Sequence, residues 1–296
     1  MVPRALSLAC LASALLSVCP ARSEDWPQFR GPRGNGAADC AAHPVEWSED
    51  ENVDWKVAID GVAWSQPIVS RGKIFLTTAL AEDQPRPRAG EAGPGFSLLS
   101  GQGISRLLSG GSAPEIECTW NLLCLDLATG DRLWSQVVRT GQPPVPIHRS
   151  NSYASETPVT DGERIYVHLG MAGLYCFDFD GKAIWKQGLP THAMQYGWGT
   201  GSSPLLHEDL LYLLCDNEKA SYLTAYEKTT GDVRWRVDRD ESSNWSTPYL
   251  WRNKDRVELI TCGGKRTRSY DPLSGDPYWE LPAAGRCATS AVGDAE

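Results

Sequence analysis

The residues able to do chemistry are few and scattered. His148 and His192 could hold a metal, but they lie on separate segments with no ligand spacing between them. Gly199-Thr200-Gly201-Ser202-Ser203 lacks the Gly-x-Ser-x-Gly order of a nucleophile elbow. No Cys-x-x-Cys pair occurs, so a zinc site is not expected, and the cysteines read either as buried thiols or as occasional disulfides. Most Asp and Glu side chains fall in repeated turns, where they have a structural task, and none is nominated as a base. The catalytic and metal assignments are therefore none. What remains is a recognition chemistry of rings, a guanidinium and an amide: Arg149, Tyr153, Tyr196, Trp198, Asn244 and Trp245.

The elements that must position these side chains come from a repeat. Leu125-Asp126-Leu127-Ala128-Thr129-Gly130-Asp131-Arg132-Leu133-Trp134 returns with substitutions at 226–235 and 270–279, and in a shortened form at 177–185. In each copy an acidic residue ends one strand, a Gly turns the chain, and a Trp (Trp134, Trp185, Trp235, Trp279) lies in the returning strand. A second signature precedes each copy, at Ser65-Gln66-Pro67, Glu156-Thr157-Pro158, Ser203-Pro204 and Thr247-Pro248, and a short apolar strand follows it. A unit of four short strands over about 45 residues is the size of one propeller blade. The fold expected is all-β, a β-propeller with about four complete four-stranded blades. The Trp side chains are expected to join neighbouring blades, each contributing about 3–5 kcal/mol.

Length and charge bound the function. The chain has 296 residues and a net charge of -9, with no Lys/Arg run, which argues against nucleic acid. Residues 1–23 read as a signal peptide: Arg4, an apolar stretch from Ala5 to Val18, and Ala21-Arg22-Ser23 at the cleavage point. The branched Val18 argues against a lipid anchor at Cys19, and no segment suits a transmembrane span. The mature protein is expected in the periplasm or outside the cell. Residues 24–52 form an N-terminal extension and 53–296 the repeats, interrupted at 80–117 by an insertion rich in Gly, Ser and Pro. That insertion is expected to be a disordered excursion, with a short helix or docking patch around Phe96, Leu99 and Leu107 as the alternative.

Three further segments carry a resemblance: Asp25-Trp26-Pro27-Gln28-Phe29-Arg30-Gly31-Pro32-Arg33-Gly34-Asn35-Gly36, Asn151 to Gly162, and Tyr196 to Pro204. With the repeats, they resemble the pyrroloquinoline-quinone-like (PQQ-like) β-propeller repeat family, in particular its secreted planctomycete-type members. That family joins quinone-dependent dehydrogenases to cofactor-free scaffolds such as the outer-membrane β-barrel assembly lipoprotein. The resemblance thus implies either a binding or scaffolding protein or a PQQ- and calcium-dependent oxidoreductase, and the dehydrogenases' adjacent cysteine pair is missing here. The reading preferred is an exported binding or scaffolding propeller with a protein or carbohydrate ligand and no cofactor. A quinone-dependent oxidoreductase and a carbohydrate-active propeller are the alternatives.

Blade topology places the candidates. Connections between blades and the loops joining second to third strands emerge on one face, and the acidic-Gly turns on the other. The first face receives His148 to Tyr153, Thr191 to Trp198, Asp238 to Trp245 and the insertion. The alternative role for these residues is to fill the funnel and pack blades. Finally, Val53 to Ile59, with Trp55, matches the last strand of a blade, and Cys287 to Val292 the innermost strand of another. Closure at seven or eight blades would need more chain, so a truncated propeller is expected.

Overall fold

The computed structural model describes residues 25–38, 44–81, 113–283 and 285–293. The expected leader, Cys19, Cys40 and the apolar residues of the insertion lie outside them.

Among the described residues, short runs of Leu, Ile, Val, Tyr and Thr, bounded by Gly, Asp and Pro, form sixteen strands in four antiparallel sheets. The first sheet holds β1 (Ile68–Ser70), β2 (Lys73–Ala81), β3 (Cys118–Asp126) and β4 (Arg132–Gly141). The second holds β5 (Val159–Thr160), β6 (Arg164–His168), β7 (Leu174–Asp178) and β8 (Ala183–Gln187). The third holds β9 (Leu205–His207), β10 (Leu210–Cys215), β11 (Ser221–Glu227) and β12 (Val233–Arg239). The fourth holds β13 (Tyr249–Arg252), β14 (Val257–Cys262), β15 (Arg266–Tyr270) and β16 (Pro277–Pro282). Each pairs in chain order, so every sheet is a blade with its first strand innermost.

The repeated Trp and Gly have one geometric cause. Gly130, Gly181, Gly231 and Gly275 all take φ between 75° and 82°, and the ring of the Trp one repeat earlier lies against each. A Cβ at Gly130 would sit 2.5 Å from Trp55, at Gly181 3.0 Å from Trp134, at Gly231 2.8 Å from Trp185, and at Gly275 2.7 Å from Trp235. Each indole N–H then donates to a carbonyl of the same turn: Leu127, Phe179, Lys228 and Pro272, at 3.0–3.2 Å. The turn needs Gly both for its left-handed φ and for the contact. Trp279 differs, donating instead to Glu258 Oε2 of its own blade at 2.7 Å.

The Ser/Thr-Pro signature has an equally direct cause. The Ser or Thr hydroxyl just ahead of β5, β9 and β13, and that of Ser290, accepts the backbone N–H at the corresponding position of the blade before it. Gln66 N donates to Thr157, Thr157 N to Ser203, Ser203 N to Thr247 and Thr247 N to Ser290, all at 2.9–3.0 Å. These bonds stitch the blades around the axis where the following Pro cannot donate. Apolar clusters fill the spaces between blades: Phe75, Leu122 and Ile165 between the first pair, Tyr166, Leu174 and Leu211 between the second, and Tyr212, Leu223 and Leu259 between the third.

Two expected strands do not form. Residues 53–59 and 287–292 lie outside every strand, because no neighbouring backbone among the described residues offers a ladder to either. Their repeat contacts survive without it: Trp55 docks on the Gly130 turn, and Ser290 accepts from Thr247.

The segment 25–36 lies against the innermost strands β1 and β5 and against Ser290. Trp26 bridges to Val69, Pro27 O accepts from Thr160 N at 2.9 Å, and the Arg30 guanidinium reaches Ser290 O at 3.1 Å.

Candidate functional site

The connections at 142–158, 188–204 and 240–248 emerge together on the face that also carries the second-to-third-strand loops. Each gives an aromatic ring to one row. Tyr196 meets Trp198 at 5.5 Å between centroids, Trp198 meets Trp245 at 5.6 Å, and His148 closes on Trp198 at 5.8 Å. His148 meets Trp198 edge to face at 69°, an arrangement that aromatic quadrupoles favour, while the Tyr196–Trp198 and Trp198–Trp245 pairs are tilted at 57° and 36°.

Backbone contacts fix the row. Trp245 Nε1 donates to Gly199 O at 2.8 Å, and Asn151 Nδ2 donates to the carbonyls of Trp198 and Thr200. Tyr196 takes φ 52°, the left-handed region, inside the 3-10 turn Gln195–Gly197. A non-glycine residue held there costs about 1 kcal/mol, which the surrounding contacts offset. Met171, Met194 and Val145 pack beneath Trp245. The row is half-buried, and Arg149 stands exposed beside it.

Of the six expected recognition residues, Tyr196, Trp198 and Trp245 therefore converge, with Arg149 at their edge. Tyr153 turns to the first blade, where its ring lies 6.3 Å from Trp120 and its carbonyl accepts the Trp120 indole N–H at 2.7 Å. Asn244 was expected at the surface and is 4 % exposed. Its amide points inward to Asp216 and to the Cys262 carbonyl, because a buried amide finds there the acceptors it would otherwise lose to burial.

A buried charged layer, which no local motif brings together, joins Asp216, Arg239, Glu241 and Arg268. Arg239 grips Asp216 with two bonds of 2.8 and 3.1 Å, and also donates to Thr261 and Tyr270. Arg268 meets Glu241 at 2.6 Å and Asp240 beyond it, while Glu241 also accepts the Lys265 and Arg266 backbone N–H groups. Burial pushes Asp216 up and the Arg239 fork opposes it. The layer ties the third blade to the fourth.

Glu156 and His168 were missed. Both are 3 % exposed, and burial moves them in opposite directions, Glu156 up to about 7 and His168 down to about 4. The available signal was positional: Glu156 occupies the repeat position filled by Ser65, Ser202 and Ser246.

Among the described residues no three His, Cys, Asp or Glu side chains are grouped to hold a metal ion. Beside the segment 25–36 lies a cavity of about 560 Å³ whose charged side chains are Arg33 and Arg252, not carboxylates suited to calcium. Among the described residues no helix is long and apolar enough to cross a membrane.

Comparisons with known proteins agree with this architecture. Residues 121–295 match the family profile described as "Outer membrane protein assembly factor BamB". The chain is similar to the outer membrane protein assembly factor BamB of Moranella endobia (strain PCIT), 24% identical over 219 residues, covering 71% of this chain and 52% of that protein. It spans about half the length of that curated relative. Among solved structures it is similar to quinohemoprotein alcohol dehydrogenase from Comamonas testosteroni, with a TM-score of 0.50 and 14% identity over 90% of this chain and 42% of that one. BamB from Moraxella catarrhalis matches with a TM-score of 0.33 and 12% identity, over 59% of this chain and 62% of that one.

Proposed function

The chain belongs to the PQQ-like β-propeller repeat family described by the assembly factor BamB, and from that membership we propose that it is a cell-envelope binding propeller that docks a protein partner on its aromatic face. The observation that carries this reading is the Tyr196–Trp198–Trp245 row, drawn from two successive connections and held by backbone hydrogen bonds. Pre-positioned Trp and Tyr rings with an exposed Arg at the edge are the side chains that dominate binding energy at protein interfaces. They bring large contact area with little rotamer entropy to lose. The distant relative is named as an assembly factor, which favours a protein partner over a small substrate. Export rests on the leader-like sequence of residues 1–23.

The test is retention of a partner through purification from the native envelope. The expected result is one defined protein retained by the unaltered chain and weakened by about tenfold in Trp198→Ala. Thr129→Ala, on the opposite face, should retain it. Dye-linked oxidation of an alcohol after adding the quinone and calcium, with no retained protein, would contradict the reading and favour an oxidoreductase. Soluble glycans displacing the partner at Trp198 would point to a carbohydrate ligand instead.

A further inference from the structure

Two small cavities lie directly under the aromatic row, each of about 20 Å³ and therefore the size of one water molecule. Met171 and Thr200 line both. Among the described residues, three buried polar atoms on their walls find no hydrogen-bond partner: Glu156 Oε1 on one, and His168 Nε2 and Ser202 Oγ on the other. Gly170 stands between them: a Cβ there would fall 3.2 Å from Glu156 Oε1 and 2.1 Å from Thr200 Oγ1, so the close approach requires glycine. His168 Nδ1 is already committed to the Ser202 carbonyl at 3.1 Å, the Gly170 backbone lies close to the same ring, and His168 lines the second cavity.

Polar atoms so deeply buried are costly unless something satisfies them, and cavities of this size and polarity are where ordered water does so. We propose that Glu156 and His168 form a water-bridged proton-binding site, one water in each cavity, that sets the pH response of the junction beneath the aromatic row. The other titratable groups bordering the cavities are Tyr153, Cys215 and Asp216, and Asp216 is neutralised by Arg239. The geometry favours a protonated carboxyl and a neutral imidazole, because neither cavity offers a counter-ion to a lone charge. The junction is mechanically linked to the rings. Thr200 follows Gly199, whose carbonyl holds the Trp245 indole, and Met171 packs beneath the same ring.

The two groups act on stability with opposite signs. Glu156, raised from 4.5 to about 7, contributes stability below pH 4.5 that is lost as pH rises through 7. His168, lowered from 6.5 to about 4, contributes stability above pH 6.5 that is lost as pH falls through 4. Between those limits the slopes oppose each other in the intact protein, and removing one group exposes the other.

The experiment measures unfolding equilibria against pH for the unaltered chain, Glu156→Gln and His168→Gln. Relative to the unaltered chain, Glu156→Gln is expected to gain about tenfold in the folding equilibrium per pH unit between pH 4.5 and 7, and His168→Gln to lose about tenfold per pH unit between pH 4 and 6.5. Differences that do not change with pH would overturn the proposal. Should either variant fail to fold, infrared difference spectra of the unaltered protein decide it. A protonated-carboxyl band persisting to near pH 7 supports the site, and complete titration of all carboxyls below pH 5 overturns it.

Discussion

At the residue scale, side chains of one type divide by their surroundings. Burial pushes Cys118, Cys176 and Cys215 up to about 12 and Cys124 to about 11. None of the described cysteines is paired in a disulfide. Because the thiolate is the reactive species, these four should remain unlabelled by a thiol reagent at pH 8 in the native protein and react together on unfolding. Labelling of the folded chain read by mass would show it, and fast modification of Cys176 would contradict the packing. The same scale explains what sequence reading could not supply. Asn244 sits in a polar connection and reads as a surface residue, yet its partners, Asp216 and Cys262, come from β10–β11 and β14 territory far along the chain. Glu156 was distinguishable only as the odd residue in a repeat position of serines, and its burial is a tertiary fact.

At the element scale, the blade was largely legible. An acidic residue, a Gly and a Trp at fixed spacing describe a hairpin whose turn chemistry is local. Asp126 and Asp271 each accept two N–H groups of their own turns, as short-range rules require. The Trp-on-Gly contact makes each turn intolerant of a side chain. Gly231→Ala is expected to cost on the order of 2–3 kcal/mol, from its φ of 78° and the Trp185 ring in the way. Gly188→Ala, with no atom within 4 Å and no left-handed φ, should stay within about 0.5 kcal/mol of the original. Denaturant unfolding of the two variants separates them, and equal costs would show that the indole contact contributes little. The segments 53–59 and 287–292 mark where pattern reading stops. Their side chains follow the repeat, but a strand exists only when a second backbone is there to pair with it.

At the scale of the whole molecule, the blades divide the protein into two unlike faces. One is built of tight acidic-Gly turns clamped by indoles, and those turns spend their polar groups on themselves. The other gathers the connections, the aromatic row and the buried charges. The opening motif at 25–36 was recognisable in sequence, but nothing local in it announces that it lies against Val69, Thr160 and Ser290. This asymmetry underlies the claim that the protein works by binding through one face. Site-specific photo-crosslinking in the native envelope tests it most directly, with the photoreactive side chain placed at Arg149 in one variant and at Thr129 on the opposite face in another. A single protein adduct formed from position 149 and absent from position 129 is the predicted result. Adducts of equal yield from both positions, or adducts from position 129 alone, would contradict it.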